Sequence, residues 1–132
     1  MYLFKVRIEE NQDVEYQGIN GTGQVMTLKF EKWNCNFSHD AHWYVVFHIK
    51  DKKRHNYKFR EQTGTDGLKS LIWAKQCIKD FIENFINDGK KHTIIIYWDD
   101  AKRKKAYVRY LRDLKFNLTR MDRREALVYK NN

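Results

Sequence analysis

The chain has no proline, two cysteines and six glycines among its 132 residues, and each scarcity narrows what it can be. Without proline, and without repeats or low-complexity tracts, the sequence offers no linker or domain boundary, so residues 1–132 read as a single domain. The cysteines, Cys35 and Cys77, are too few and too far apart for a secreted disulfide scaffold, which leaves a reducing compartment as the expectation. No hydrophobic run approaches the roughly 20 residues of a membrane-spanning helix. The opening Met1-Tyr2-Leu3-Phe4-Lys5 is too short and mixed for a signal peptide, so a cytoplasmic protein with no membrane partner is expected.

What is present argues for a packed core. Hydrophobic residues make up 42% and aromatics 15%, against disorder despite 33% charged residues. The net charge of +9 is unevenly placed. Residues 1–50 carry five Lys/Arg against six Asp/Glu, while residues 51–132 carry 21 against 11. Such asymmetry points to an acidic partner for the second half: nucleic acid, a phosphorylated cofactor or an acidic protein.

Period-two alternation predicts strands at Tyr2–Glu9 and Gln24–Trp33, with Asn11–Gly23 between them as a glycine-bearing loop. His42–Ile49 is nearly continuous in apolar character and suits a central strand. Asp51-Lys52-Lys53-Arg54 reads as a charged hairpin turn, with His55–Glu61 returning. Apolar residues at spacings of three and four then predict a helix from Leu68 to Ile86, with Leu68, Leu71, Ile72, Ile78, Phe81, Ile82, Phe85 and Ile86 inward. Thr63, Thr65 or Asp66 can cap it, and Gly89 can supply the left-handed stop. Thr93–Trp98 is apolar on both faces, as a parallel strand after a helical crossover would be. A second helix follows Asp99-Asp100, with Ala106, Tyr107, Tyr110, Leu111 and Leu114 inward. One strand, or two short ones around Asp122-Arg123, closes the chain. The expected fold is α/β (α+β): a mixed sheet with antiparallel N-terminal strands, then β-α-β-α-β.

Within that order, the stretch Gln62-Thr63-Gly64-Thr65-Asp66-Gly67-Leu68-Lys69 places glycines and backbone N–H groups where a strand gives way to a helix, a natural anion site. Residues 62–116 resemble the acetyl-coenzyme A-dependent N-acetyltransferases of the GNAT superfamily. Gln62 and Gly67 match the outer positions of the family's phosphate-binding turn, with Thr65 in place of the inner glycine. The segment from Asp100 to Phe116 resembles the family's late helix, with Lys115 replacing the glycine of its closing Leu-Gly-Phe. The resemblance implies direct attack of a substrate amine on a thioester, with residues 62–69 holding acetyl-coenzyme A. The amine must shed a proton, for which Glu61 is the first candidate and His48 the second. The family's late-helix acid is a tyrosine. Register from Phe116 puts Leu111 there, so Tyr110 and Tyr107 are the nearby candidates. The chain lacks the helices that the family places between its first two strands.

Other constellations compete. Lys52, Lys53, Arg54, Lys58 and Arg60 form one basic strip, interleaved with Tyr57 and Phe59. Lys102, Arg103, Lys105 and Arg109 form a second; together they suit a non-catalytic protein that engages nucleic acid or an acidic protein partner. Cys35, His39, His42 and His48 lack the second close ligand pair of a structural zinc site, so no metal is expected. Asp99 and Asp100 at a strand end suit an RNase H-like layout, but the early strands offer no clear partner carboxylate.

Overall fold

Alternation draws the first part of the chain into an antiparallel meander. In the computed structural model, which describes residues 4–20, 23–34, 41–50, 64–98, 101–121 and 123–131, strands β1 (Lys5–Ile8), β2 (Val14–Ile19), β3 (Val25–Asn34) and β4 (Ala41–Lys50) pair in succession. The β1–β2 turn closes when the Glu9 N–H donates to the Asp13 carbonyl, with Gln12 taking a left-handed φ of 73°. β2 corrects the expectation of a loop over Asn11–Gly23. Val14, Tyr16 and Gly18 alternate toward the core, and Gly18 is there to clear an indole ring rather than to make a turn. The expected returning strand His55–Glu61 lies outside the described residues.

Helix α1 (Gly64–Asn84) crosses to strand β5 (His92–Ile96), which is buried along its whole length. Helix α2 (Ala101–Tyr110), a 3-10 turn at Arg112–Leu114, and the hairpin of β6 (Asn117–Met121) and β7 (Arg124–Lys130) complete the described chain. The result is a mixed α+β structure with two helices and one seven-stranded sheet, ordered β1-β2-β3-β4-β5-β7-β6. β4 and β5 form its one parallel pair among the described strands; every other pairing is antiparallel.

Directly paired residues share a sheet face. Tyr16, Leu28, Phe30, Trp43, Ile94 and Leu127 therefore line one face, and both helices contribute to the core packed on it. The opposite face carries a smaller cluster of Ile95, Ala126 and Val128, screened by Tyr44, Tyr97 and Met121. The stripe that α1 buries is Ser70, Trp73, Ala74, Cys77, Ile78 and Phe81, while Leu71 and Ile72 are only half-buried. The helix has two adjacent apolar stripes, and the one carrying the larger aromatic area faces the sheet. Phe81 stacks on Phe30 at 3.8 Å between centroids and meets Trp43 edge-on at 4.9 Å.

These contacts also set the helix direction. Trp73, early in α1, meets Phe47 late in β4, whereas Phe81, late in α1, meets Trp43 early in β4. α1 thus runs antiparallel to β4, and its N-terminus lies at the carboxyl end of that strand.

Candidate functional site

β4 is unequally paired on its two sides. All ten of its residues pair with β3, but only Ala41–Tyr44 pair with β5, opposite His92–Ile95. From Val45 to Lys50 no described strand occupies the β5 side. The closed end of this pair is locked. Trp43 Nε1 donates to His92 Nδ1 at 3.1 Å, which leaves His92 Nε2 as the donor to Asp88 at 2.9 Å. Asn131 accepts from the His92 backbone N–H and donates to the carbonyls of Ile86 and Lys90. The two strands are therefore fastened at their amino-terminal end, and β4 runs on to Lys50 past the end of β5 at Ile96.

α1 begins at the other end of β4. Its first-turn N–H groups, at Gly64–Gly67, have no intrahelical acceptor and point out of the helix N-terminus. The helix starts four residues before the expected Leu68, so Gly64, Thr65, Asp66 and Gly67 form its opening turn instead of a turn ahead of it. The carboxyl end of a parallel strand, beside a helix N-terminus, is a place that suits an anionic ligand.

Of the residues that the sequence singled out, Leu68 and Lys69 continue that first stretch of helix, with the Lys69 side chain exposed. Glu61, Gln62 and Thr63 lie outside the described residues, as do Lys52, Lys53, Arg54, Lys58 and Arg60. His48 is exposed on β4. Tyr107 packs against the core with Val108 and Leu114 around buried Leu111. Tyr110 is half-buried beside Arg109, whose guanidinium lies 5.7 Å from its ring centroid, and Val108 takes the inward place expected of Tyr110. Asp99, Asp100, Cys35 and His39 fall outside the described residues. Among the described residues no three His, Cys, Asp or Glu side chains converge.

One feature was not legible in the sequence: β4 runs on past the end of β5, inside an apolar run that looked uniformly central. Lys115, which the sequence places where the family has a glycine, adopts φ 67° and ψ 30°, the left-handed conformation that glycine favours, and ends the 3-10 turn by donating its N–H to Arg112.

Two buried titratable groups near the middle of the core are structural. Tyr16 donates its hydroxyl to Asp80 Oδ2 at 2.7 Å, and burial, with that carboxylate, pushes the phenol well above its usual range. Burial likewise pushes the Cys77 thiol up, reinforced by the Asp80 charge. Both stay protonated, so Cys77 is no thiolate nucleophile.

The second basic strip lies on α2: Lys102, Lys105 and Arg109 are exposed and Arg103 is half-buried. Beside it a groove of about 830 Å³ runs between α2 and the edge strand β6. Among the described residues no helix is long and apolar enough to cross a membrane. No family model, no curated protein and no solved structure matches the chain.

Proposed function

We propose that the protein is an acetyl-coenzyme A-dependent N-acetyltransferase of GNAT-like fold, acting on an amine of a small molecule or protein. The observation that carries this reading is that α1 presents its first-turn N–H groups at the carboxyl end of β4, beyond the residues that pair with β5. The strand order, the single parallel crossover and the left-handed Lys115 at the position of the family's glycine support the same assignment.

The residues present fit such a cofactor. A pyrophosphate needs convergent N–H donors, which the first turn at Gly64–Gly67 supplies, and Lys69 adds positive charge nearby. An amide-bearing arm needs a strand edge, and among the described strands none pairs with Val45–Lys50 on the side away from β3. When bound, the cofactor supplies the acetyl thioester. The chain's own part is to orient the two reactants, take a proton from the attacking amine and return one to the departing thiol. We assign the first proton transfer to Glu61. The second falls to Tyr107 rather than Tyr110, because Tyr107 is turned toward the core between the helices and the sheet.

Thermal denaturation with increasing acetyl-coenzyme A tests the reading. Stabilisation of about 2.7 kcal/mol is expected at a hundred times the dissociation constant. No shift at millimolar cofactor contradicts it. Glu61→Gln should retain the shift and lose amine-dependent release of free thiol.

A further inference from the structure

The groove between α2 and β6 is separate from the carboxyl end of β4, and its chemistry is distinct. Among the described residues its lining includes Lys104, Lys105, Arg109, Arg112 and Lys115 and no acidic side chain. Lys104 is ion-paired to Glu125, whereas the other four have no acidic partner among the described residues. Four exposed cations along one groove, without acidic partners among the described residues, give it a positive potential that favours an anionic ligand.

The floor is apolar. Leu118, 48% exposed, stands on the same sheet face as buried Leu127, with Val108 on the helix wall and buried Phe116 at one end. β6 also ends the sheet, so its outer edge is unpaired among the described strands. Cationic wall, apolar floor and open strand edge together fit an extended peptide better than a nucleic acid. The one aromatic side chain in the lining, Phe116, is buried, so bases have no platform on which to stack. A second copy of the chain is disfavoured by its +9 charge.

We infer that this groove docks an acidic peptide segment, which adds to the edge of β6 and sets alternate carboxylates against Lys105, Arg109, Arg112 and Lys115. Apolar residues of the segment rest on Leu118 and Val108, and main-chain hydrogen bonds to β6 fix the register. The inference does not rest on acetyl transfer.

Fluorescence anisotropy with a labelled peptide of alternating Glu and Leu tests it. Three comparisons are needed: a peptide with Gln for Glu, a labelled oligothymidylate, and the variants Arg109→Glu/Arg112→Glu and Leu118→Ser. The acidic peptide should bind at least about tenfold more tightly than its neutral analogue, and the double charge reversal should remove that advantage. Lys90→Glu/Lys91→Glu, an equal charge change on the α1–β5 connection, should leave binding within about twofold. Leu118→Ser should weaken binding without altering its salt dependence; this variant and the milder Arg109→Gln cover the case in which the double reversal does not fold. Equal binding of both peptides, or unchanged binding by the charge variants, overturns the inference. So does tighter, Arg109- and Arg112-dependent binding of the oligothymidylate, which would assign the groove to nucleic acid.

Discussion

Gly18 lies directly against the ring of Trp73: a Cβ built on Gly18 would sit 2.6 Å from the indole Nε1 and 2.8 Å from Cε2. Trp73 is 2% exposed and cannot swing aside without opening the core. Gly18→Ala should therefore destabilise the fold by about 1–3 kcal/mol, the usual cost of overpacking. Trp73→Phe in the same chain should recover part of that loss, because the smaller ring vacates the contested space. Denaturant midpoints of the two single variants and the double variant measure the coupling, and simple additivity would show that the two residues do not contend for one space.

Lys115 makes the opposite prediction. A side chain at φ 67° holds a conformation that costs a non-glycine residue about 1–2 kcal/mol, partly offset by the greater flexibility of glycine in the unfolded chain. Lys115→Gly should raise stability by about 0.5–1 kcal/mol, read as a small increase in melting temperature. A fall in melting temperature would mean that the lysine side chain contributes more than its backbone costs.

The 3-10 turn is tied to α1 by Lys75, which donates to Asp113 Oδ2 at 2.8 Å and holds that carboxyl below its usual range. A carboxyl with a depressed folded pKa contributes stability above its unfolded value of about 3.9, and the contribution is lost as pH falls through the folded value. The melting temperature of the parent should exceed that of Asp113→Asn at pH 7, and the gap should close as pH drops below about 4. High salt at neutral pH should shrink the same gap, because Asp113 is exposed. A gap that persists at low pH would place the contribution elsewhere than in the carboxylate.

The general order of the chain was legible because its strongest signals are periodic. Thr93–Trp98 declared a buried parallel strand by being apolar on both faces, and the observed β5 is buried and parallel to β4. Asp122-Arg123 marked the hairpin between β6 and β7, where Arg123 takes a left-handed φ of 67°. β2 was lost because Gly18 reads as a loop former when nothing in the sequence shows the indole above it. The inward stripe of α1 was legible at Ile78, Phe81, Ile82, Phe85 and Ile86 but not in its first turns, because Leu71 and Ile72 match the helical period as well as Trp73 and Cys77 do. The glycine-bearing start of α1 could be read locally, but the point where β4 outruns β5 could not. That point depends on where hydrogen bonding stops, and the apolar run from His42 to Ile49 carries no mark of it.

The meeting of the α1 N-terminus with the carboxyl end of β4 is the centre of the proposed function, and backbone amide chemical shifts report on it directly. Titration of the isotopically labelled protein with acetyl-coenzyme A should perturb the amides of Gly64–Lys69 and of Val45–Lys50, while those of β6 and the α2 groove stay unchanged. Saturating cofactor that leaves both of the first two stretches undisturbed would contradict the assignment.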